Sequence, residues 1–220
     1  LFSLTIISCG SDDGGSSAST DNTSTTTTSD DDSTTSDNST STSDNSSSSS
    51  SSSGSGVFVA VGMKSNFSEG IIVRSTDNGS SFDNATSPIA NFLNGVTFGN
   101  NTFVAVGNNR TIVRSTDNGS TWDNATSPTA NLLNGVTFGN NTFVGVGNSG
   151  NIVRSTDNGS SFDNVTSQTG MDLKEVGFGN NTFVGVGQSG NIVRSTDNGS
   201  SWDNATSPTG NNLNGVTFGN

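Results

Sequence analysis

Two residue types that carry much of enzyme chemistry are missing from this 220-residue chain, which has no histidine and no tyrosine. Without histidine the chain lacks the commonest general base and metal ligand, and we expect neither a metal nor another cofactor. The single cysteine, Cys9, excludes a disulfide within the chain. Seven basic residues against nineteen acidic ones give a net charge of -12, which argues against nucleic acid as a partner.

What the chain does contain is a segment of eight residues that recurs every 40 residues. It reads Ser-Thr-Asp-Asn-Gly-Ser-Thr-Trp at 115–122, and its other copies begin at Ser75, Ser155 and Ser195 and close on Phe or Trp. A fixed period of about 40 residues is typical of arrays in which each unit is one supersecondary element that cannot bury its apolar face alone. We call this segment the octet.

Each unit also contains four short apolar runs separated by clusters of Gly, Asn and Ser. In the second unit the runs span 95–98, 102–106, 111–115 and 121–124. Runs of this length, rich in Val, Ile, Thr, Phe and Trp and bounded by turn residues, are typical of strands, and no stretch shows helical periodicity. Four strands in about 40 residues match one propeller blade. The sequence therefore predicts an all-β fold, a β-propeller of four-stranded antiparallel blades.

The octet can be interpreted as a folding device. It lies between two predicted strands, so Asp117-Asn118-Gly119 forms a hairpin connection with Gly119 in the left-handed conformation. Asp117 can accept hydrogen bonds from backbone N–H groups two residues on. Trp122, or Phe82 in the first copy, then returns to the sheet and fills the space between blades.

The pattern Ser-x-Asp-x-Gly-x-Thr-Trp at 115–122 resembles the Asp-box, so the chain is identified as similar to the Asp-box (BNR-repeat) propellers, a group that includes sialidases, sortilin-type receptors and the photosystem II assembly factor. The resemblance covers about 56–220 and implies a structural role for the octet, on the side away from the usual active site. The positions that match are Ser75, Asp77, Gly79, Phe82, Ser115, Asp117, Gly119, Trp122, Ser155, Asp157, Gly159, Phe162, Ser195, Asp197, Gly199 and Trp202.

Composition divides the chain into three parts. Residues 1–9 resemble the end of a bacterial lipoprotein signal, with Cys9 as the lipidated residue. We therefore expect an exported lipoprotein of the outer membrane or cell surface, which contacts the membrane through this lipid only. The alternative is a secreted protein. Residues 10–56 carry eight Asp and no basic residue, which predicts a disordered tether. The repeats follow over 57–220, at about 57–93, 94–133, 134–173 and 174–213, with the first strand of a further repeat at 214–220.

The first repeat begins with a second strand and the last segment is a first strand, so pairing of 214–220 with the first repeat could close a ring of four blades. The alternative is that the four repeats are part of a longer array. Propellers of the Asp-box group generally have six or more blades, which favours a fragment of a larger propeller.

Catalytic residues of the resembled sialidases are not matched here. Those enzymes use a tyrosine nucleophile, an arginine triad and an acidic residue, and this chain has no tyrosine. Arg74, Arg114, Arg154 and Arg194 instead recur at one position of the repeat. They are expected to pair across the hairpin with Asp83, Asp123, Asp163 and Asp203; a ring of anion sites is the alternative. We therefore predict no catalytic residue, and the chain is more simply a binding protein than an enzyme.

The copies differ mainly in two classes of loop, the one between the second and third strands and the connection between blades, which a propeller places on the face opposite the octets. Variable loops on a rigid scaffold are where recognition usually resides. We predict a non-enzymatic scaffold that binds a glycan or protein partner there; the alternative is a fragment of a glycan-active hydrolase with its catalytic residues outside this chain. The candidate binding residues are Lys64, Phe67, Glu69, Arg110, Met171, Asp172, Lys174 and Glu175.

Overall fold

The computed structural model describes residues 56–67, 69–86, 88 and 90–219 of the chain. The lipidation site Cys9 and almost all of the expected tether, residues 10–55, lie outside the described residues. Within them the fold is made of strands, with two short 3-10 turns at Asn148–Gly150 and Gln188–Gly190. Among the same residues there is no helix with the length and apolar character needed to cross a membrane.

The strands form four antiparallel sheets in chain order. The first sheet contains β1 (Phe58–Met63), β2 (Gly70–Ser75) and β3 (Asp83–Asn84). The second contains β4 (Leu93–Gly99), β5 (Thr102–Gly107), β6 (Ile112–Ser115) and β7 (Asp123–Asn124). The third contains β8 (Leu133–Gly139), β9 (Thr142–Gly147), β10 (Ile152–Ser155) and β11 (Asp163–Val165). The fourth contains β12 (Leu173–Gly179), β13 (Thr182–Gly187), β14 (Ile192–Ser195) and β15 (Asp203–Asn204).

Strand pairing follows the sequence order in every sheet, as the all-β prediction requires. In the second sheet Phe98 lies opposite Phe103 and Arg114 lies opposite Asp123, with a bulge between Leu93 and Gly95. Every residue of β5 is buried, because this strand lies inside its sheet and has a neighbouring sheet against each face. The prediction of a propeller of four-stranded antiparallel blades is confirmed, with three strands rather than four in the first sheet.

The core consists of apolar clusters that each lie between two successive sheets. In one of them Val144, Val146 and Ile152 of the third sheet pack against five side chains of the fourth, among them Phe183 and Trp202. The clusters between the first and second sheets and between the second and third are built from the equivalent positions. Stability therefore depends on contacts between neighbouring units, as in other repeat proteins.

Residues 214–219 follow the fourth sheet without joining a strand ladder. Pairing of this segment with β1, which would close a ring of four blades and was the alternative to a fragment of a larger propeller, is therefore absent from the part of the chain that the structure describes. Phe218 lies instead against Gly179 of the fourth sheet, at the position where Phe178 lies against Gly139. The segment thus occupies the place of an inner strand of a following blade.

Candidate binding face

Each blade has two distinct ends. At one end the octet of a blade contacts the turn between the first two strands of the preceding blade: the amide of Asn158 donates to the Thr102 hydroxyl at 2.7 Å, and that of Asn100 donates to Asn158 Oδ1 at 3.1 Å. We call this the octet end. At the other end, the loop between the second and third strands meets the blade-to-blade connection, as in the bond from Asn108 N–H to the Phe92 carbonyl at 3.0 Å. We call this the loop end.

At the octet end, Asp117 organises the hairpin between β6 and β7. Its carboxylate accepts hydrogen bonds from the Ser115 hydroxyl at 2.7 Å, the Thr121 N–H at 3.0 Å and the Thr121 hydroxyl at 2.6 Å. The Ser115 hydroxyl in turn accepts the Gly119 N–H at 2.9 Å. The backbone donor is therefore four residues beyond Asp117 rather than two, because Asn118 and Gly119 are both left-handed, with φ of 58° and 77°, and bring residue 121 back over the carboxylate.

These hydrogen bonds hold the octet carboxylates in the ionised form. Bonds from the Thr121 hydroxyl and N–H, then from Ser115, lower the pKa of Asp117 to about 2, and the Ser201 and Ser195 bonds do the same for Asp197. The pKa of Asp77 falls below its usual range for the same reason, its Ser75 bond contributing most. For Asp157, burial raises the pKa, but bonds from Ser161 and Ser155 outweigh it and the pKa is lowered. Carboxylates occupied in this way are unsuited to proton transfer near neutral pH.

The aromatic residue that closes the octet packs against the preceding blade. Trp122 is buried in the cluster that also contains Val59 and Ile72 of the first sheet, and its indole N–H donates to the Gly119 carbonyl at 3.1 Å. Phe82 departs from this pattern, since its side chain is 43% exposed. The expected packing between blades fails there because no blade precedes the first sheet among the described residues.

Three of the four repeated arginines connect neighbouring blades instead of pairing across their own hairpin. Arg74 lies opposite Asp83 in the strand register, as expected, but its Nε donates to the carbonyl of Asn118 in the next octet at 2.6 Å. Arg154 makes the same contact to Asn198 at 2.7 Å, and Arg114 reaches Asn158 and Ser160. The turn carbonyl needs a donor once a blade covers it, whereas the exposed Asp gains little from an ion pair in water.

At the loop end, three predicted residues of the first blade are grouped in one loop. Lys64 and Glu69 form an ion pair with both side chains about half exposed, and the Phe67 N–H donates to the Lys64 carbonyl at 2.9 Å. Phe67 has a φ of 57° and is 65% exposed. The loop therefore presents an aromatic ring to solvent between two opposite charges.

A second group lies at the connection between the third and fourth blades. Lys174 pairs with Asp172 at 3.1 Å, and Asp172 Oδ1 accepts the backbone N–H of Ser149 at 3.0 Å. The Ser149 N–H, then Lys174, lowers the pKa of Asp172. Met171 beside them is 47% exposed. This group resembles the one at 64–69, since in both an exposed apolar side chain lies beside an ion pair.

Glu175 lies on β12, the inner strand of the fourth sheet, and is half-buried. The three other copies of this strand segment, at 94–100, 134–140 and 214–220, carry Gly95, Gly135 and Gly215 at this position. The Glu175 carboxylate lies against Gly135, and Oε1 accepts the Val176 N–H at 3.0 Å. Burial raises the pKa of Glu175, and this hydrogen bond offsets only part of the effect.

The eight candidate residues thus form two local groups, at 64–69 and 171–175, with Arg110 in a third loop. Arg110 has a φ of 66°, is exposed, and makes no ion pair among the described residues.

A contact between blades that was not predicted from the sequence involves two asparagines: Asn94 and Asn134 donate to the Leu133 and Leu173 carbonyls of the next blade at 2.8 and 2.7 Å. Lys174 replaces this asparagine, a break in the repeat that was visible in the sequence.

The fold has relatives among solved structures, although no family model and no curated protein matches the sequence. A structure of YCF48 bound to D1 peptide aligns with 74% of this chain and 53% of that chain, at 17% identity and a TM-score of 0.57. An ancestral GH74 enzyme aligns with 69% of this chain and 22% of its own, at 21% identity and a TM-score of 0.54. A nidogen/laminin complex aligns over 70% of this chain and 62% of its own, at 10% identity and a TM-score of 0.56.

The chain thus spans about half of the YCF48 chain that it matches. At these identities the likeness concerns the fold, and it extends to propellers of unrelated activity, which is expected because one fold hosts many functions. The described chain is an array of β-propeller blades.

Proposed function

We propose that this chain is an exported, non-enzymatic binding module that recognises a protein or glycan partner through the loop end of its blades. The observation that carries the proposal is the contrast between the two ends. The octets repeat in every blade and use their polar groups internally. The charged residues outside the periodic pattern of the repeats lie instead in the loops at the opposite end or, as Lys174 and Glu175 do, at the start of the strand β12 that follows such a loop. Recognition usually resides in loops that differ on a common scaffold.

The chemistry of the loop end favours a protein or peptide as the partner. Phe67 and Met171 are exposed by 65% and 47% and each lies beside an ion pair. Exposed aromatic and thioether side chains are adaptable anchors in protein interfaces, and charged neighbours set orientation and specificity. YCF48, a structural neighbour, has been solved with a bound peptide, which supports a peptide as the ligand class.

The same proposal accounts for the N-terminal part of the chain. A lipid on Cys9 would anchor the protein at the outer membrane or cell surface, and the acidic residues of 10–56 would hold the blades away from the membrane. The octets support assignment to the Asp-box propellers. Labelling with radioactive palmitate in a bacterial host tests the anchor: incorporation into the wild-type chain that is lost in Cys9→Ser supports it, and equal labelling of both contradicts it.

Binding is tested with the purified chain on an array of random peptides and on a glycan array. The double variant Phe67→Ala, Arg110→Ala removes one exposed anchor and one unpaired cation of the loop end. A matched double variant at the octet end, Thr116→Ala, Thr156→Ala, removes two exposed side chains there. We expect at least a tenfold loss of affinity for selected peptides or glycans in the first variant only. Equal affinity in the wild type and the Phe67, Arg110 variant would overturn the proposal.

The second candidate is a fragment of a glycan-active hydrolase, and the half-buried Glu175 with its raised pKa is the feature that favours it. Burial that raises the pKa of a carboxyl group favours its protonated form, the form in which it can act as a general acid. Incubation with the same glycan panel, followed by mass spectrometry of the products, separates the two. Cleavage that disappears in Glu175→Gln would favour the hydrolase, and intact glycans would favour the binding module.

A further inference from the structure

The connection between the third and fourth blades differs in charge from its counterparts. The segments 87–95, 127–135 and 207–215 contain no charged residue, whereas 167–175 contains Asp172, Lys174 and Glu175. The connections at 87–95 and 127–135 join their blades without charges, so the fold does not require these three side chains. Burying a charge costs free energy unless the charge is paired, which makes the partners of each one informative.

Asp172 and Lys174 satisfy one another. Lys174 Nζ lies 3.1 Å from Asp172 Oδ2, and Asp172 Oδ1 accepts the Ser149 N–H at 3.0 Å. Both oxygens of Asp172 therefore have a donor, and the positive charge of Lys174 is neutralised by Asp172. The pair leaves Glu175 with the net charge of the connection.

Glu175 has a single partner for its carboxylate. Oε1 accepts the Val176 N–H at 3.0 Å, and Oε2 makes no hydrogen bond or ion pair among the described residues. Burial raises the pKa of Glu175, which is the expected result when an ionised group loses water without gaining a cation. One oxygen is thus available for a charge-assisted hydrogen bond from a cation.

The neighbouring strands hold Glu175 in place from both sides of β12. Its Oε1 would lie 2.7 Å from a Cβ at Gly135, so the carboxylate occupies the space that this glycine leaves open. On the other side Val216 lies against Gly177 of the same strand. Glu175 remains partly exposed with both neighbours present. Met171, in the same connection, is 47% exposed, so a carboxylate and a thioether are both accessible to a ligand.

We propose that Glu175 binds the lysine or arginine side chain of a peptide partner, and that Met171 contacts an apolar side chain next to it. This inference rests on the proposed function and names the class of peptide. The ammonium or guanidinium group donates to Glu175 Oε2, and the flexible thioether of Met171 adapts to the apolar neighbour.

The charge of the repeats is complementary to such a partner. The eight Asp of 10–56 account for eight of the twelve negative charges of the chain, which leaves a net charge of -4 on the repeats. A negative surface attracts a cationic peptide before contact and disfavours an acidic one. The basic residue of the peptide would then supply the cation that Glu175 lacks.

Two matched peptide libraries test the proposal with the purified full chain. In the first, each peptide carries one lysine followed by one apolar residue in a background of Ser, Gly and Ala; in the second, glutamine replaces the lysine. We expect Glu175→Gln, which keeps an acceptor for the Val176 N–H, to weaken binding of the lysine peptides about tenfold or more. Binding of the glutamine peptides should be weak and the same in both proteins.

Two further variants serve as controls for folding and for net charge. Glu175→Gly introduces the residue found at this position in the other copies, so it should fold, and it should lose the lysine peptides as Glu175→Gln does. Asp163→Asn removes an exposed carboxylate from β11 and changes the net charge by the same amount. We expect its affinity to stay within about twofold of the wild type at physiological salt. An equal loss in Asp163→Asn would mean that overall charge attracts the peptide, and would overturn the role of Glu175.

The outcomes separate this inference from the proposed function. Lysine peptides that bind the wild type and Glu175→Gln equally well, but are lost in the Phe67→Ala, Arg110→Ala variant, would overturn the role of Glu175 and support the binding module. Binding of acidic peptides or of glycans alone would do the same. A wild-type chain that binds neither the peptides nor the glycans would overturn both.

Discussion

The octet end and the loop end of the blades are made from the same repeat, but they use their polar groups in opposite ways. At the octet end Asp117 accepts bonds from Ser115 and Thr121, and an arginine of the preceding blade caps the turn carbonyl. At the loop end the ion pairs Lys64–Glu69 and Lys174–Asp172 stay partly in solvent beside exposed Phe67 and Met171. A group that is already hydrogen-bonded inside the fold is poorly available to a ligand, so we expect a ligand to bind at the loop end.

The largest loss of stability is expected at an aromatic residue of the octets. Trp202→Ala removes a side chain that is 1% exposed between the third and fourth blades, and we expect it to cost about 3–5 kcal/mol of unfolding free energy. Phe82→Ala, at the equivalent but 43% exposed position, should cost under about 1 kcal/mol. Urea denaturation measures both. Similar losses would show that the octet aromatics act within their own hairpin rather than between blades.

Removing an octet carboxylate should have the next largest effect. Asp117→Ala deletes the acceptor of three hydrogen bonds, and we expect a loss of about 1–2 kcal/mol, in the range of comparable capping residues. Because the folded pKa is about 2, below the ordinary 3.8, this stability is present above pH 4 and is lost as the pH falls towards 2. Thermal unfolding of the variant should therefore be less sensitive to acid in this window than that of the wild type.

The control for the carboxylate is Asp123→Ala, which removes an exposed carboxylate from β7, one residue after the octet. We expect the free energy of unfolding to change by under about 0.5 kcal/mol. An acid sensitivity that Asp117→Ala leaves unchanged would mean that other groups govern acid unfolding.

A smaller effect is expected from the arginines that join the blades. Arg154→Leu keeps much of the apolar stem but loses the hydrogen bond to the Asn198 carbonyl, at a cost of about 1 kcal/mol. Arg194→Leu removes an exposed side chain that makes no hydrogen bond among the described residues, and it should have almost no effect on unfolding. Guanidinium unfolding at low protein concentration compares them, and equal losses would indicate that Arg154 acts within its own blade.

The smallest effect should come from the loop end. A double-mutant cycle on Lys64→Ala and Glu69→Ala measures the coupling of an ion pair whose side chains are about half exposed, and we expect under about 1 kcal/mol, decreasing with added salt. A larger coupling that resists salt would mean that this loop is a structural element rather than a free recognition surface.

Much of the fold could be predicted because the repeat amplifies a weak signal. One run such as 102–106 is an ambiguous apolar segment, but four copies bounded by the same turn residues define strands, order and period. The structure places strands over each run, as in Thr102–Gly107. The arginine contacts could not be predicted in this way, because Arg74 and Asn118 are 44 residues apart and meet only when blades stack. Asp83 was the partner expected for Arg74 because it lies on the same hairpin, whereas the Asn118 carbonyl that Arg74 contacts belongs to the neighbouring blade.

For the candidate site, the residues were visible as breaks in the repeat, but their grouping was not. Glu175 stands out in sequence as a replacement of glycine, yet its burial against Gly135 and its raised pKa depend on the preceding blade. Asp172 likewise gains the Ser149 N–H from a loop 23 residues earlier.

The sequence by itself determined the strand pattern, the hairpin at each octet and the positions where the copies differ, since all three depend on local backbone preferences and on periodicity. Only the tertiary structure decided which side chains are covered. Phe82 and Trp202 occupy the same octet position, but one is exposed and the other is buried, because burial in a stacked array depends on whether a neighbouring blade is present.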